Sequence, residues 1–332
     1  MHKTKIFMRS QHSKQWSIER VFQDVLYGLP KDADVTLAYA PFRSRGVIRR
    51  LAITLWAAFA ATKVNHISGD IHFIAMGLPR RRTILTIHDV ERLDRVKGIR
   101  NWLYTLIWFR WPIARAKVVT TISQRSKDDV VARLGCPASK VHVIYNPLSP
   151  AFTPAERPFD AQNPRILHIG TRPNKNLERV IPALEGLPCT LVIIGPLSEA
   201  QRRLLDQHSI RFENAVDLSH AEIVAQYQNS DIVLFPSLFE GFGLVAIEGQ
   251  ACGKPVVTSR ERPFDEVVGT TACLVDPTET ASIRAGVVRV MEDAAYREEL
   301  VRQGFENAKR FAPETIAAQY LALYRAVATG EV

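Results

Sequence analysis

The sequence has few cysteines and no long apolar run. Its longest apolar stretch, residues 51–61, is about half of the ~20 residues that a helix needs to cross a bilayer. The apolar run near the start, residues 6–8, is too short for a secretory signal. The four scattered cysteines form no C-x-x-C pair and no zinc or disulfide spacing: Cys136, Cys189, Cys252 and Cys273. These absences predict a cytoplasmic protein with no membrane-spanning helix and no disulfide framework.

Acidic residues are scarce in the first half of the chain. Residues 1–150 carry 25 Lys and Arg against 10 Asp and Glu, whereas residues 151–332 carry 18 against 24, within a net charge of +9. A basic half of this kind fits an anionic lipid surface, a phosphate-bearing acceptor or nucleic acid. Solvated arginines on helix faces are the alternative, with about equal weight.

The chain is long for a single core. At 332 residues it exceeds the ~100–200 residues typical of one domain. Five prolines fall between residues 147 and 164, in a stretch with neither a helical nor a strand period. The sequence therefore predicts an N-terminal domain over 1–150, a linker over 151–163, and a C-terminal domain over 164–332 that includes the closing C-terminal helices.

Short β-branched runs alternate with longer helical patterns in both halves, which predicts parallel sheets. The predicted strands are residues 5–8, 35–39, 64–67, 83–87, 118–121, 141–144, 165–169, 191–194, 231–235, 256–258 and 272–275. We therefore expect an α/β fold of two doubly wound, Rossmann-like domains. Because ligands bind beyond the carboxyl ends of such strands, the loops after residues 87, 169, 194 and 235 are the candidate sites.

One segment, residues 235–257, runs from a strand through a glycine loop into a helix. Gly241 and Gly243 let the backbone approach a ligand, and the N–H groups at the helix start favour a phosphate. Glu248, about one turn into the helix, suits the two hydroxyls of a ribose, and Glu240 would face the sugar side of a diphosphate. A phosphate between two hydroxyl-binding carboxylates describes a nucleotide sugar.

This segment resembles the E-x7-E signature of the retaining glycosyltransferases of family four, which have the GT-B fold of two Rossmann-like domains facing a cleft. Glu240 and Glu248 stand at the two glutamate positions. The resemblance implies that both bind the donor, together with the loop between them: Gly241, Phe242, Gly243 and Leu244. The alternative is a helix entry with two incidental glutamates.

A second segment, residues 166–180, is also similar to the family. A strand ends at Gly170, and the loop that follows carries Arg172 and Lys175 just before a helix. The resemblance implies that this basic pair neutralises the donor diphosphate, as a metal ion does in other transferases, and stabilises the leaving group as its charge develops. Taken alone, two basic loop residues are more often solvated. Beside the E-x7-E segment, the diphosphate role is favoured.

His88 and Asp89 follow the predicted strand 83–87. A His-Asp pair at this point is similar to the family pattern, which implies that His88 approaches the transferred sugar, where it orients a hydroxyl or steadies positive charge. We therefore assign catalytic roles to His88, Asp89, Glu240, Arg172 and Lys175. The alternative for the first two is a helix-capping aspartate beside a hydrogen-bonded histidine.

The acceptor side departs from the family pattern. Many members carry a glycine-rich loop after the first strand, but residues 8–19 contain no glycine. Arg9, Ser10 and His12 are the candidates for the role of that loop. His66, Asp70 and His72, near another strand end, are interpreted as cleft lining, with plain loop structure as the alternative. The predicted acceptor-binding set is Arg9, His12, His66 and Asp70.

No metal site is predicted. Asp32 and Asp34 match the D-x-D of another transferase fold, but Pro30 before them and a strand after them indicate a turn. Ser123 is predicted to cap a helix, since no base partner marks it as a nucleophile. The aromatic residues and arginines of residues 99–111 fit the packing of a core helix better than a membrane interface.

We therefore expect a metal-independent hexosyltransferase that uses a nucleotide diphosphate donor, such as a UDP- or GDP-sugar, with residues 1–150 binding the acceptor and 164–332 the donor. The resemblance implies retention of anomeric configuration. The expected setting is synthesis of cell-envelope polysaccharide, lipopolysaccharide or glycolipid on a glycan or lipid-linked acceptor. No cofactor and no nucleic acid are expected, and a peripheral contact with an anionic inner membrane face stays open. The alternatives are a nucleotide-sugar epimerase or hydrolase, and a non-catalytic basic adaptor of membranes or nucleic acid.

Overall fold

The structure, a computed structural model, describes residues 2–10, 17–90, 93 and 98–332. The chain forms two compact units, one made of Met1–Pro147 together with Ala312–Val332, the other of Leu148–Phe311. Each unit contains a six-stranded sheet whose strand pairs are all parallel. The predicted α/β fold of two doubly wound domains is therefore confirmed.

The first unit has the strand order β2-β1-β3-β4-β5-β6. Its strands are β1 Thr4–Met8, β2 Val35–Tyr39, β3 Val64–Ile67, β4 Thr83–Ile87, β5 Val118–Thr121 and β6 Val141–Val143. Every residue of β3, β4 and β5 is buried, as expected for parallel strands covered on both faces. Strand β2 pairs with one side of β1, and β3 with the other side. The direction in which strands are added therefore reverses between β1 and β3, so the carboxyl ends of these two strands form the switch point of the sheet.

Helices on either side of this sheet complete the first unit. Within the described residues they are α1 Ser17–Tyr27, α2 Val47–Ala60, α3 Gly98–Thr105, α4 Trp111–Arg115, α5 Gln124–Leu134 and the C-terminal α13 Pro313–Thr329, with a π-helical turn Leu106–Arg110 between α3 and α4. The Ser123 hydroxyl accepts the Ser126 N–H at the start of α5. The predicted capping role of Ser123 is therefore confirmed.

Helix α13 belongs to the first unit, not to the second as the sequence predicted. It packs against α1 and β3, burying Ile316, Tyr320 and Tyr324. A Cβ on Gly28 would lie 2.2 Å from the carbonyl carbon of Pro313, so only glycine admits this contact. The prediction of a 164–332 domain assumed that residues after the linker stay in one domain. The apolar face of α13 instead packs against α1 and β3, which come from the first part of the chain.

The second unit has the strand order β12-β11-β10-β7-β8-β9. Its strands are β7 Arg165–Ile169, β8 Thr190–Ile194, β9 Phe212–Ala215, β10 Ile232–Phe235, β11 Val256–Ser259 and β12 Cys273–Val275. Its helices are α6 Leu177–Ala183, α7 Glu199–Gln207, α8 His220–Gln228, α9 Leu244–Ala251, α10 Phe264–Val267, α11 Thr280–Glu292 and α12 Ala294–Lys309. The switch point of this sheet lies between β7 and β10, since β7 and β8 run to one edge and β10 to β12 to the other.

The four cysteines are buried as free thiols, in agreement with the absence of a disulfide pattern. In the described part of the chain, no helix is both long enough and apolar enough to span a bilayer.

Candidate active site

Two loops leave the switch point of the second sheet. One, residues 170–176, follows β7, and the other, residues 236–243, follows β10, the strand that pairs with β7 through Ile166 and Ile232. We call them the switch-point loops. The first carries Arg172 and Lys175 and the second carries Glu240. The fold therefore brings together residues that stand 65 positions apart in the sequence.

Lys175 and Glu240 form an ion pair between these loops. The Lys175 Nζ lies 2.5 Å from the Glu240 Oε1, with the two side chains 22% and 14% exposed. The Ser237 hydroxyl donates to the same carboxylate oxygen at 2.7 Å, and the ammonium stands 4.7 Å from the centre of the Phe235 ring. The ammonium uses one of its three N–H donors on Glu240, its one hydrogen-bond acceptor within the described residues.

Two asparagines of the first loop, which the sequence analysis missed, tie the switch-point loops together. The Asn174 amide donates to the backbone carbonyl oxygen of Phe239 at 3.2 Å, and the backbone carbonyl oxygen of Asn174 lies 2.7 Å from the Ser237 hydroxyl, whose one proton it shares with Glu240. The Asn176 amide donates to the carbonyl oxygens of Pro236 at 3.0 Å and Pro277 at 2.6 Å. Asn176 has a φ of 68°, a conformation that asparagine tolerates better than most residues. An asparagine directly before a predicted helix was the sequence feature that could have indicated this turn.

Helix α9 begins at the end of the second loop. Gly243 has a φ of 94°, and a Cβ there would lie 2.5 Å from Phe264 Cε1, so the position requires glycine. The first N–H groups of a helix lack intrahelical acceptors and favour an anion. The Phe242 side chain is buried, with its ring edge-on against Phe311. Gly241 and Leu244 are partly exposed beside it.

Glu248, in α9, is held by a tyrosine that the sequence analysis missed. The buried Tyr227 hydroxyl donates to Glu248 Oε2 at 2.5 Å. Burial, reinforced by the Glu248 charge, raises the pKa of Tyr227 well above its ordinary value, so the tyrosine stays a neutral donor. Tyr227 comes from α8, and neither its spacing nor its surroundings in the sequence linked it to Glu248.

Arg172 differs from Lys175 in its surroundings. It is exposed at the start of the single 3₁₀ turn Pro173–Lys175. Within the described ranges its guanidinium has no hydrogen-bond or ion-pair partner, although its backbone carbonyl oxygen accepts the Lys175 N–H. The five guanidinium N–H donors are therefore available to a ligand.

His88 and Asp89 lie in the first unit, directly after β4. The His88 Nε2 atom is closed off from solvent and has no hydrogen-bond partner among the described residues. Burial, followed by the nearby His72 and Arg9, lowers the pKa of His88 to about 3. The imidazole is therefore neutral near pH 7, which favours hydroxyl orientation over stabilisation of positive charge. Asp89 is exposed.

Arg9 and Asp70 lie at the switch point of the first sheet, after β1 and β3, and line a cavity of 620 Å³. The Arg9 guanidinium donates to both oxygens of the buried Glu19, at 2.5 and 2.9 Å. The rest of the cavity wall combines arginines with aromatic and apolar side chains: Ser10, Phe42, Arg43, Ser44, Arg45, Arg50, Ile71, Leu103, Tyr104, Ile107 and Trp108. Most of this wall was absent from the sequence prediction.

His66, predicted to bind the acceptor, is instead a core residue. It is fully buried, and its ring nitrogens contact the Tyr324 hydroxyl at 2.8 Å and the Thr86 hydroxyl at 2.6 Å. Burial lowers the pKa of His66 to about 3, with His88 adding to the effect. The assignment failed because the sequence did not show that α13 would cover this strand. His12, the remaining acceptor candidate, lies outside the described residues.

Comparison with known proteins identifies the family. The sequence profile of the "Glycosyltransferase Family 4" domain matches residues 14–152, and that of "Glycosyl transferases group 1" matches residues 152–307. The O-antigen chain mannosyltransferase B of Escherichia coli is 26% identical over 281 residues, which cover 75% of this chain and 72% of that protein. The MMP alpha-(1->4)-mannosyltransferase of Mycolicibacterium hassiacum is 27% identical over 288 residues, covering 77% of this chain and 67% of that protein.

Solved structures agree on the fold. The crystal structure of Anabaena HepE in complex with UDP and glucose superposes with a TM-score of 0.79 at 19% identity, covering 98% of this chain and 100% of that one. The two profiles together span residues 14–307, and both site loops fall within the group 1 match. The chain belongs to the group 1 glycosyltransferases of family four and has the GT-B fold.

Proposed function

We propose that this protein transfers a hexose-type sugar from a nucleotide diphosphate donor to an acceptor hydroxyl, with retention of configuration and without a metal ion. The observation that carries the proposal is the meeting of Lys175, Glu240 and the start of α9 at the switch point of the second sheet. A cation, a carboxylate and a helix start at one point match a diphosphate attached to polyhydroxylated groups.

In this proposal the diphosphate lies over the switch-point loops. Arg172 and Lys175 take its negative charge, and the N–H groups at the start of α9 add the partial positive charge of a helix end. Glu248, oriented by Tyr227, accepts hydrogen bonds from the ribose hydroxyls, and Glu240 accepts them from the sugar. Because the side chains of Arg172 and Lys175 supply the counter-charge, the proposed leaving-group stabilisation needs no divalent ion.

The acceptor is assigned to the cavity of the first unit. Its arginines, together with Asp70, Tyr104 and Trp108, offer charge and hydrogen bonds beside aromatic faces. That combination fits a sugar that carries a phosphate, since guanidinium groups bind phosphate and aromatic rings pack against sugar rings. His88, neutral and with an unpartnered nitrogen among the described residues, is proposed to orient a hydroxyl of the transferred sugar, which requires its closed-off Nε2 to be uncovered when the donor binds.

The setting we propose is synthesis of cell-envelope polysaccharide or glycolipid in the cytoplasm. Two relatives support it by name, as an O-antigen chain mannosyltransferase and a mannosyltransferase. A UDP donor is one candidate, because the Anabaena relative was solved with UDP. The E. coli and M. hassiacum relatives favour mannose as the transferred hexose.

The proposal is tested by a thermal-shift screen against uridine, guanosine, adenosine and thymidine diphosphates and their common sugars, without metal. Saturation at ~100 times the dissociation constant stabilises the folded protein by about 2.7 kcal/mol. We expect one base to give this shift, and Glu248→Ala to abolish it, while Arg203→Ala, on the exposed side of α7, keeps it. No shift with any nucleotide in folded protein would favour the adaptor. Donor consumption without an added acceptor would favour an epimerase or hydrolase.

A further inference from the structure

Helix α2 exposes a row of large apolar side chains. Ile48 is 83% exposed and Phe59 is 90% exposed, and Leu51 and Leu55 between them are also exposed. At 100° per residue these four positions fall within one third of the helix circumference. The opposite face of α2 is already used, since Ile53 and Ala57 are fully buried in the core of the first unit. The row is therefore a second apolar face.

A second group of exposed apolar residues extends from α3 through the π-helical turn to the start of α4. Trp102, Leu103, Ile107 and Trp111 are exposed, whereas Trp108 and Phe109 of the same segment are buried. The prediction of core packing for residues 99–111 thus holds for only part of the segment. The arginine-lined cavity lies between α2 and this segment, because Arg50 of α2 and Leu103, Ile107 and Trp108 line it. Arg50 is on the side of α2 away from the row, so the cavity adjoins the helix and not the row itself. We call the α2 row, this segment and the cavity rim the apolar-cationic face.

The charge around this face has one sign. Between Asp34 and Asp89 the sequence has eight lysines and arginines and a single acidic residue, Asp70. Arg43, Arg45 and Arg49 are exposed immediately before and within the first turn of α2. The Arg50 guanidinium stands over the Trp108 ring at 4.5 Å, at the cavity wall. Apolar side chains flanked by arginines are the composition of helices that lie in the plane of an anionic membrane surface.

We propose that the apolar-cationic face docks on an anionic membrane, with the α2 row in the acyl boundary and the arginines at the lipid phosphates. Exposed Trp102 and Trp111 suit the headgroup level, where amphipathic rings accumulate. The cavity then opens at the level of lipid headgroups. This adds a partner to the proposed function, and it implies that the acceptor is presented by a lipid.

The test is sedimentation of the full chain with vesicles of phosphatidylcholine alone or with about 30 mol% phosphatidylglycerol. We expect binding to the anionic vesicles only, weakened when salt rises from ~0.05 to ~0.5 M. Leu55→Glu lowers the partition coefficient by about tenfold or more, because it removes an apolar group and adds a repelled charge. Val216→Glu, an equivalent change at an exposed position of the second unit, leaves it unchanged. Arg49→Gln weakens binding more than Arg203→Gln.

A label reports insertion directly. All four native cysteines are buried, so an environment-sensitive thiol dye attaches selectively to Leu55→Cys or Val216→Cys. We expect a blue shift with anionic vesicles at position 55 and none at 216. Equal sedimentation of Leu55→Glu and wild type would overturn the proposal. So would a dimer in solution that Leu55→Glu dissociates, with no vesicle binding, since a second copy would then cover the face. Nucleotide thermal shifts in Leu55→Glu test the proposed function separately.

Discussion

Lys175→Ala separates the role of the ion pair in the fold from its role toward the donor. In the folded protein the substitution removes one charge-assisted hydrogen bond, to Glu240, whose carboxylate keeps the Ser237 hydroxyl at 2.7 Å. Both side chains are partly exposed, so we expect the free energy of unfolding to fall by only about 1 kcal/mol. The fold should survive in the variant.

The effect on the donor should be larger. The ammonium is one of two cations at the switch-point loops, and a hydrogen bond to a charged group contributes about 1.5–3 kcal/mol. We therefore expect the dissociation constant of the nucleotide sugar to rise about tenfold to a hundredfold by calorimetric titration. The rate constant of sugar transfer should fall by about 10²–10³, as happens when an enzyme loses one hydrogen-bond donor to an anion that develops in the transition state. Arg203→Ala is the matched control. A variant that keeps both values within about threefold would refute the assignment.

Three further perturbations test the surroundings of the site and the buried histidines. Tyr227→Phe removes the hydroxyl that donates a 2.5 Å hydrogen bond to Glu248, and we expect the affinity for the nucleotide sugar to fall about tenfold in the same titration. Unchanged affinity would mean that nucleotide-sugar binding by Glu248 does not depend on this hydrogen bond. Gly243→Ala adds a methyl 2.5 Å from Phe264 and should cost about 1–3 kcal/mol in urea unfolding, more than Gly186→Ala, which shares a positive φ in open space; equal costs would exclude the contact as the cause. Burial lowers the pKa of His66 to about 3 and of His168 to about 4, so the unfolded state binds more protons below pH ~6.5. As the pH falls from ~6.5 to ~5, above the range of most carboxyl groups, the free energy of unfolding should therefore decrease by up to about 1.4 kcal/mol per pH unit for each such histidine. A free energy of unfolding that stays constant over this range would show that the folded protein lets these histidines bind protons.

Strand positions were largely readable from the sequence. Eleven predicted strands match the structure to within one residue at either end, because both faces of most of them are buried and β-branched residues are frequent in them. The missed strand is β9, Phe212–Ala215, whose Glu213 and Asn214 give no apolar run and which lies at the sheet edge. An edge strand is covered on fewer sides, so its sequence needs less apolar character.

Which elements become neighbours was harder to read. Glu240 and Lys175 were assigned to one ligand by resemblance, but their direct contact depends on β10 pairing with β7, not with β9. Likewise, His66 resembled a polar cleft residue until α13 was found to cover it. In both cases the deciding contact joins residues that are far apart in the chain, so the sequence around each residue does not predict it.

In the proposed donor site, the charge balance at the switch-point loops accounts for a carboxylate among the cations. Arg172 and Lys175 supply two positive charges, Glu240 returns one negative charge, and the start of α9 adds roughly half a positive charge. The sum is about +1.5, close to the charge of a bound diphosphate ester with opposite sign. Without Glu240 the loops would hold a free diphosphate more tightly, which would slow its release after transfer. With it, Lys175 is already oriented before the donor arrives, and two of its N–H donors face no other acceptor among the described residues.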